Sequence, residues 1–301
     1  MPANAFPALP SPGSAFDAGT CDSMGVCRKV AVDEWDHVPL APPVACGVYR
    51  PACTLEVFIF APTSGGPWPL LVLLPGGPRP PDQENYLSSF GLSLASQGAV
   101  AIISSWRQSA DFGGGYPTSF EDVACAIGVA RRIGPAYGAT PDRVTLVGHS
   151  LGGWPATLLG LTASPFVPTQ GSCNPTAGDL RPDAVVSVDG VINELADQVD
   201  GARYLEAFFG GDFTAKPDAW RAADPFAMAK GAPAGSRSIP FVLVQGGADT
   251  DVLPVVARSF HELLLGAGYD ATLLEVPAAD HGSILGAKET IDAIIAFSTP
   301  K

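Results

Sequence analysis

Long apolar runs are missing from this chain of 301 residues. The longest, such as Leu70–Leu74 and Ala99–Ile103, fall far short of the roughly 18 residues that a membrane-spanning helix needs, so a span is not expected. Basic residues are scarce as well: 17 Lys and Arg stand against 30 Asp and Glu, a formal net charge of −13. Such a surface repels phosphate backbones and anionic lipid, which excludes nucleic acid as a partner. Charged residues of either sign reach only 16%, against roughly 25% in ordinary soluble domains. Histidine occurs four times, and no Cys-x-x-Cys or paired-His spacing is present. His261-Glu262 begins a zincin-like string, but Leu265 stands where the second His belongs. The sequence therefore predicts no metal and no cofactor. Residues 1–20 carry neither Lys nor Arg nor an apolar stretch, so no secretory signal is written there.

What is present suits a globular α/β protein. Hydrophobic residues make up 47%, enough for a large core, and α/β folds of this length often form one domain. The 34 glycines and 30 prolines stay below the roughly 25–30% that marks a low-complexity chain. Six cysteines (Cys21, Cys27, Cys46, Cys53, Cys125 and Cys173) are many for a reduced compartment. They favour a mature exported, disulfide-bearing protein whose signal has been removed, over a cytoplasmic protein with buried thiols. The pairs 21/27 and 46/53 sit close enough in sequence for short bridges.

Residues 1–43 are rich in Pro, Ala, Gly and Ser without a sustained period and read as an N-terminal arm. From 44 to 301 strand and helix patterns alternate. Candidate strands are Leu55–Phe60, Leu70–Leu74, Val100–Ser104, Arg143–Val147, Ala184–Val188, Pro240–Gln245 and Ala271–Val276. Most are unbroken apolar runs, as expected of strands covered on both faces of a parallel sheet. Helical spacing appears in Phe120–Gly134 and Pro254–Gly266. The alternation predicts a mostly parallel, doubly wound α/β sheet. The long connection at 190–239 reads as a small helical cap insertion over the site.

The strongest chemical signal is Val144-Thr-Leu-Val-Gly-His-Ser-Leu-Gly-Gly153, a strand running into Gly-x-Ser-x-Gly with small residues after it. That is the setting of a nucleophile elbow, in which Ser150 projects above the sheet end. A serine needs a base, and the base needs a carboxylate to orient it. With the order Ser, acid, His, only His261 and His281 follow the serine. His261 lies mid-helix, whereas His281 stands in a loop just after a strand, where a base belongs. Asp249 follows a strand and a Gly-Gly turn and is the preferred acid, with Asp251 as fallback; Asp189-Gly190 reads as a turn or cap. For the oxyanion, Leu151 supplies one N–H and the loop Pro75-Gly-Gly-Pro-Arg79 the other. Gly77 is preferred there, with Gly76 behind it, because Pro78 has no N–H. Trp106, Trp154 and Tyr116 are candidates to line a substrate pocket. Trp154-Pro155, directly after the elbow, predicts a kink or tight turn beside the nucleophile.

From about residue 45 to 297 the chain resembles an α/β-hydrolase of the esterase and lipase superfamily. Phe208-Phe-Gly-Gly-Asp212, Pro217-Asp-Ala-Trp-Arg-Ala-Ala-Asp-Pro225, Gln245-Gly-Gly-Ala-Asp249 and Asp280-His-Gly282 follow the order of its carboxylesterase and feruloyl-esterase-like branch. The oxyanion loop Pro75-Gly-Gly-Pro78 is closer to cutinase-like and dienelactone-hydrolase-like members. The resemblance implies the roles already assigned to Ser150, Asp249, His281, Gly77 and Leu151. It implies a serine hydrolase that cleaves carboxylic esters, small or polymeric, through an acyl-enzyme. A peptidase or amidase of the same fold, or a polyester or lipid hydrolase, is the alternative.

Overall fold

The computed structural model describes residues 55–63, 65–79, 86–163, 166–168, 180–192, 201–231 and 238–299, together with the backbone of four strands before residue 54. Among the described residues eleven strands run in chain order: β1 (Ala15–Cys21), β2 (Cys27–Pro39), β3 (Val44–Cys46), β4 (Arg50–Cys53), β5 (Glu56–Pro62), β6 (Trp68–Leu74), β7 (Val100–Ser104), β8 (Ala139–His149), β9 (Ala184–Val188), β10 (Phe241–Gly246) and β11 (Ala271–Val276). Nine of them form one sheet in the order β1-β2-β5-β7-β6-β8-β9-β10-β11, and β3 and β4 pair separately. The steps from β7 across to β11 are parallel, and β1, β2 and β5 add antiparallel strands at the other edge. The buried runs of β6, β7, β9 and β10 have solvent on neither face, as unbroken apolar strands require.

Helices cover both faces. Helices α2 (Thr118–Ile133), α3 (Gly153–Leu161) and α7 (Pro254–Gly266) close one core, while α1 (Ser88–Ser96) and α8 (Lys288–Ser298) close the other. In α7 the buried Val256, Phe260 and Leu264 recur every four residues and face the sheet, each worth about 1.5–3 kcal/mol of burial. His261, one position round, contacts the Ala271 carbonyl at 3.3 Å, a structural place.

One expectation changes. The segment read as an arm contains β1 and β2, paired with Cys21 opposite Cys27. In β2 the apolar stretch Val30-Ala-Val32 is only three residues long between Lys29 and Asp33, too short to announce a strand. Cys46 and Cys53 lie in β3 and β4; the side chains of these four cysteines, and Cys173 altogether, lie outside the described residues. In the 190–239 insertion, 193–200 and 232–237 also lie outside them. The remainder folds as α4 (Gly201–Phe209), α5 (Pro217–Ala222) and α6 (Pro225–Gly231). Pro225 opens α6 as a new helix after α5, with the Asp224 carboxylate accepting the Phe226 N–H at 2.9 Å.

Candidate active site

The ends of β6, β8, β9, β10 and β11 gather at one edge of the sheet, where ligands bind in open α/β folds. At the end of β8 the chain turns through Ser150 with φ +54, a left-handed conformation that costs a non-glycine residue free energy. Two close approaches hold it. A Cβ on Gly148 would stand 2.1 Å from the Gly152 carbonyl oxygen, and one on Gly152 would stand 2.3 Å from that of Leu74. The Val191 N–H donates to the Ser150 carbonyl at 2.8 Å. Residues Ser150–Gly152 form a 3₁₀ turn before α3 begins at Gly153, the tight turn expected beside Trp154-Pro155. Pro155 then falls in the first turn of α3, where a missing N–H breaks no helical bond.

Asp249 and His281 come from the turns after β10 and β11 and meet at 2.8 Å, Nδ1 to Oδ2. The other Asp249 oxygen accepts the N–H groups of Asp251 and Val252 at 2.8 and 3.0 Å. Burial works to raise this carboxyl, but the His281 hydrogen bond, the Val252 N–H and the His281 charge outweigh it and hold it below the usual range. Burial likewise works to lower His281, yet the hydrogen bond and charge of Asp249 raise the ring above its ordinary 6.5. Asp251, the fallback acid, gives its N–H to Asp249, and its charge adds a smaller upward push on His281. With Nδ1 committed to Asp249, Nε2 is the ring nitrogen left for chemistry. His281 and Ser150 line one cleft of about 670 Å³, together with Gly76, Gly77, Arg79, Tyr86 and His149.

The loop after β6 lies against the serine: a Cβ on Gly76 would be 3.0 Å from Ser150 Oγ. The Pro75 carbonyl accepts from Trp106 Nε1 at 3.2 Å and Gln108 Nε2 at 3.3 Å, and Gln108 Oε1 accepts the Arg79 N–H at 2.8 Å. Arg107, between these two side chains, forks onto the buried Asp122 at 2.6 and 2.8 Å and anchors the segment from behind. The Gly76 N–H donates to Tyr86 Oη at 2.7 Å, while that of Gly77 has no partner among the described residues.

Tyr86 and His149 were not read as site residues, yet they tie the site together. The Tyr86 hydroxyl donates to His149 Nδ1 at 2.6 Å, and His149 Nε2–H donates to the His281 carbonyl at 2.9 Å. One relay thus joins the β6 loop, the residue before Ser150 and the backbone of His281. Burial first, then the charge on His281, pushes His149 down to about 4, so it stays neutral with its proton on Nε2. Burial pushes the Tyr86 hydroxyl up to about 12. Asp189 also belongs here: it lies 4.0 Å from His281 Nδ1, and burial, helped by the charge of Asp249, pushes its carboxyl up to about 8. Asp189, Asp249 and His281 have ligand-like spacing, but Asp249 and His281 already spend their facing atoms on each other.

The three aromatic pocket candidates take other places. Trp106 is buried beneath the Pro75 carbonyl, Trp154 is buried with Nε1 on the Ala223 carbonyl at 2.8 Å, and Tyr116 packs on Phe120 and Phe166. None lines the cleft; an indole that size is worth more in the core. The insertion stacks Phe208 and Phe209 on Trp154, and none of its described residues joins that lining. The walls come instead from α1 and the turn at 282–286.

A parallel sheet wound on both faces, with a serine on a strained turn at its carboxyl edge, defines the α/β-hydrolase fold. The chain belongs to the BD-FAE family, which it matches over residues 59–264. It is 29% identical over 273 residues to Esterase LipC of Mycobacterium tuberculosis, which covers 83% of this chain and 65% of that protein, somewhat under two thirds of the relative's length. Among solved structures it is similar to a bifunctional GH43-CE protein of Bacteroides eggerthii, with TM-score 0.64 and 25% identity over 80% of this chain and 33% of that one. It is similar in fold to an acetyl ester-xyloside bifunctional hydrolase from Caldicellulosiruptor lactoaceticus, with TM-score 0.66 and 20% identity over 87% and 94% of the two chains.

Proposed function

We propose that this protein is a serine hydrolase of carboxylic esters, working through an acyl-enzyme. Ser150 Oγ attacks the ester carbonyl while His281 Nε2 takes its proton, and Asp249 holds the imidazole with its other proton on Nδ1. The N–H groups of Gly77 and Leu151 bind the oxyanion, a duty worth roughly 2.7–4 kcal/mol per donor. His281 returns the proton to the leaving alcohol, and a water activated by the same ring then releases the acid.

The observation that carries this reading is the Asp249–His281 bond at 2.8 Å beside a cleft that also holds the strained Ser150. The engagement of the Gly76 N–H by Tyr86 favours Gly77 as donor. An ester is favoured over a peptide because, among the described residues, no carboxylate lines the cleft to hold a substrate amine. The names of the relatives point the same way, and one solved neighbour is named as an acetyl ester-xyloside bifunctional hydrolase, so a small ester or one decorating a polymer is the substrate class. The unit at 44–301 carries the reaction, with 190–239 as an insertion packed on α3. Export is part of this reading, supported by Cys125, buried on α2 and bonded as a disulfide, and by the facing positions of Cys21 and Cys27. No helix among the described residues is long and apolar enough to cross a membrane.

Turnover of p-nitrophenyl esters of increasing acyl length, set beside an aminoacyl anilide, tests the proposal. Ester turnover that disappears in Ser150→Ala supports it; anilide turnover without ester turnover overturns it.

A further inference from the structure

Asp189 combines features that a turn residue does not need. It follows β9 with φ +42, a left-handed conformation for a non-glycine residue. Its side chain is wholly buried. Its N–H donates to the Val244 carbonyl at 2.9 Å, and its Oδ1 accepts the Gly246 N–H at 2.6 Å. These bonds knit β9 to β10 and aim the second oxygen at the catalytic acid and base. That oxygen, Oδ2, has no hydrogen-bond donor among the described residues. The charged and titratable groups facing it are the Asp249 carboxylate from the turn after β10 and His281 from the turn after β11; His149, on the neighbouring β8, is neutral. One oxygen from each carboxyl and a ring nitrogen of His281 lie within 4.8 Å of one another.

Two buried carboxylates cannot face each other at that range without a large penalty. The His281 Nδ1–H is already given to Asp249 at 2.8 Å and stands 4.0 Å from Asp189, so it relieves only one of them. A single proton on Asp189 resolves both problems. The orphaned oxygen becomes an O–H donor, and the neighbouring carboxylate becomes its acceptor. We propose that Asp189 is a neutral carboxylic acid that donates a hydrogen bond to Asp249, and so is a positioning residue for the Asp249–His281 pair. It touches neither substrate nor Ser150. It keeps the Asp249 carboxylate ionised and aimed at Nδ1, at the cost of a strained backbone. Burial is what keeps this acid protonated.

The inference rests on the hydrolase reading for its kinetic consequence but not for the protonation state. An amide mimics a protonated carboxyl, since it offers one acceptor and one donor in the same plane. Asp189→Asn should therefore retain kcat within about threefold of the wild type, whereas Asp189→Ala should lose about ten- to a hundredfold in kcat with KM nearly unchanged. Asp249→Asn, which forces the wrong imidazole tautomer, should be far worse than Asp189→Asn. Difference infrared spectra at neutral pH provide the independent readout: the C=O stretch of a protonated carboxyl should be present in wild type and absent in Asp189→Asn. If Asp189→Ala does not fold, the asparagine variant and the spectrum decide. The proposal is overturned if Asp189→Asn is as inactive as Asp249→Asn, or if no protonated-carboxyl band is lost on that substitution. Failure of the hydrolase reading would look different: Ser150→Ala would keep its activity while the band remained.

Discussion

Replacing Tyr86 by Phe removes one oxygen that serves two loops. In the wild type that oxygen accepts the Gly76 N–H at 2.7 Å and donates to His149 Nδ1 at 2.6 Å. The ring remains, so packing against His149 and the cleft wall is preserved. Gly76 borders the open cleft, where water can take over its N–H, whereas His149 is 4% exposed and its Nδ1 loses its donor outright. One buried unsatisfied group costs about 1–3 kcal/mol, which for a domain of this size lowers Tm by roughly 2–10 °C. Catalysis should suffer separately. Losing an oxyanion donor entirely costs about 10²–10³ in kcat; loosening the loop that carries it should cost about ten- to a hundredfold, with KM within about threefold. The assay is p-nitrophenyl acetate hydrolysis under saturating and limiting substrate, paired with a thermal melt. A variant that melts several degrees lower yet keeps kcat within about twofold of the wild type would show that the relay only stabilises the fold, and the argument for its catalytic role would fail.

Because His281 must be neutral to act as base, and Asp249 raises its pKa, kcat/KM should fall as pH drops through a midpoint above 6.5. Asp249→Asn removes the charge and reverses the hydrogen bond to Nδ1, so its acid limb, where measurable, should move down, with kcat reduced by about 10⁴; Asp251→Asn should leave kcat nearly unchanged. Gly148→Ala puts a methyl where the Gly152 carbonyl stands, so it should abolish measurable turnover and cost about 1–3 kcal/mol or more in a denaturant melt. Trp154→Phe should lower stability through the lost Ala223 hydrogen bond without altering preference among acyl chains, as read from a panel of p-nitrophenyl esters.

Much of the fold was legible because its strands are continuous apolar runs bounded by Gly, Pro and Asp. The span Pro254–Gly266 was read from its period and matches α7 at both ends. The strands β1 and β2, outermost and next to outermost in the sheet, were not legible, since their apolar stretches are short and interrupted by charged residues. At the site, Ser150, Asp249 and His281, the residues proposed to carry the reaction, could be singled out because each sits where a strand ends and the order along the chain restricts the choice. Tyr86 and Asp189 could not. The role of Tyr86 depends on meeting His149, 63 positions later, and that of Asp189 on meeting Gly246, 57 positions later. No local pattern encodes either encounter. The tryptophans misled for a related reason: an aromatic residue near a catalytic motif has the same letter whether it faces the cleft or the core, and hydrogen bonds to Pro75 and Ala223 turn these two inward.

The central claim is that Ser150 is a nucleophile activated by His281. Incubation with a serine-directed fluorophosphonate followed by peptide mass spectrometry tests it directly. The account predicts one adduct, on the peptide containing Ser150, formed quickly in the wild type, slowly in His281→Ala and not at all in Ser150→Ala. An unmodified Ser150 in folded wild-type protein, or equal labelling with and without the imidazole, would contradict it.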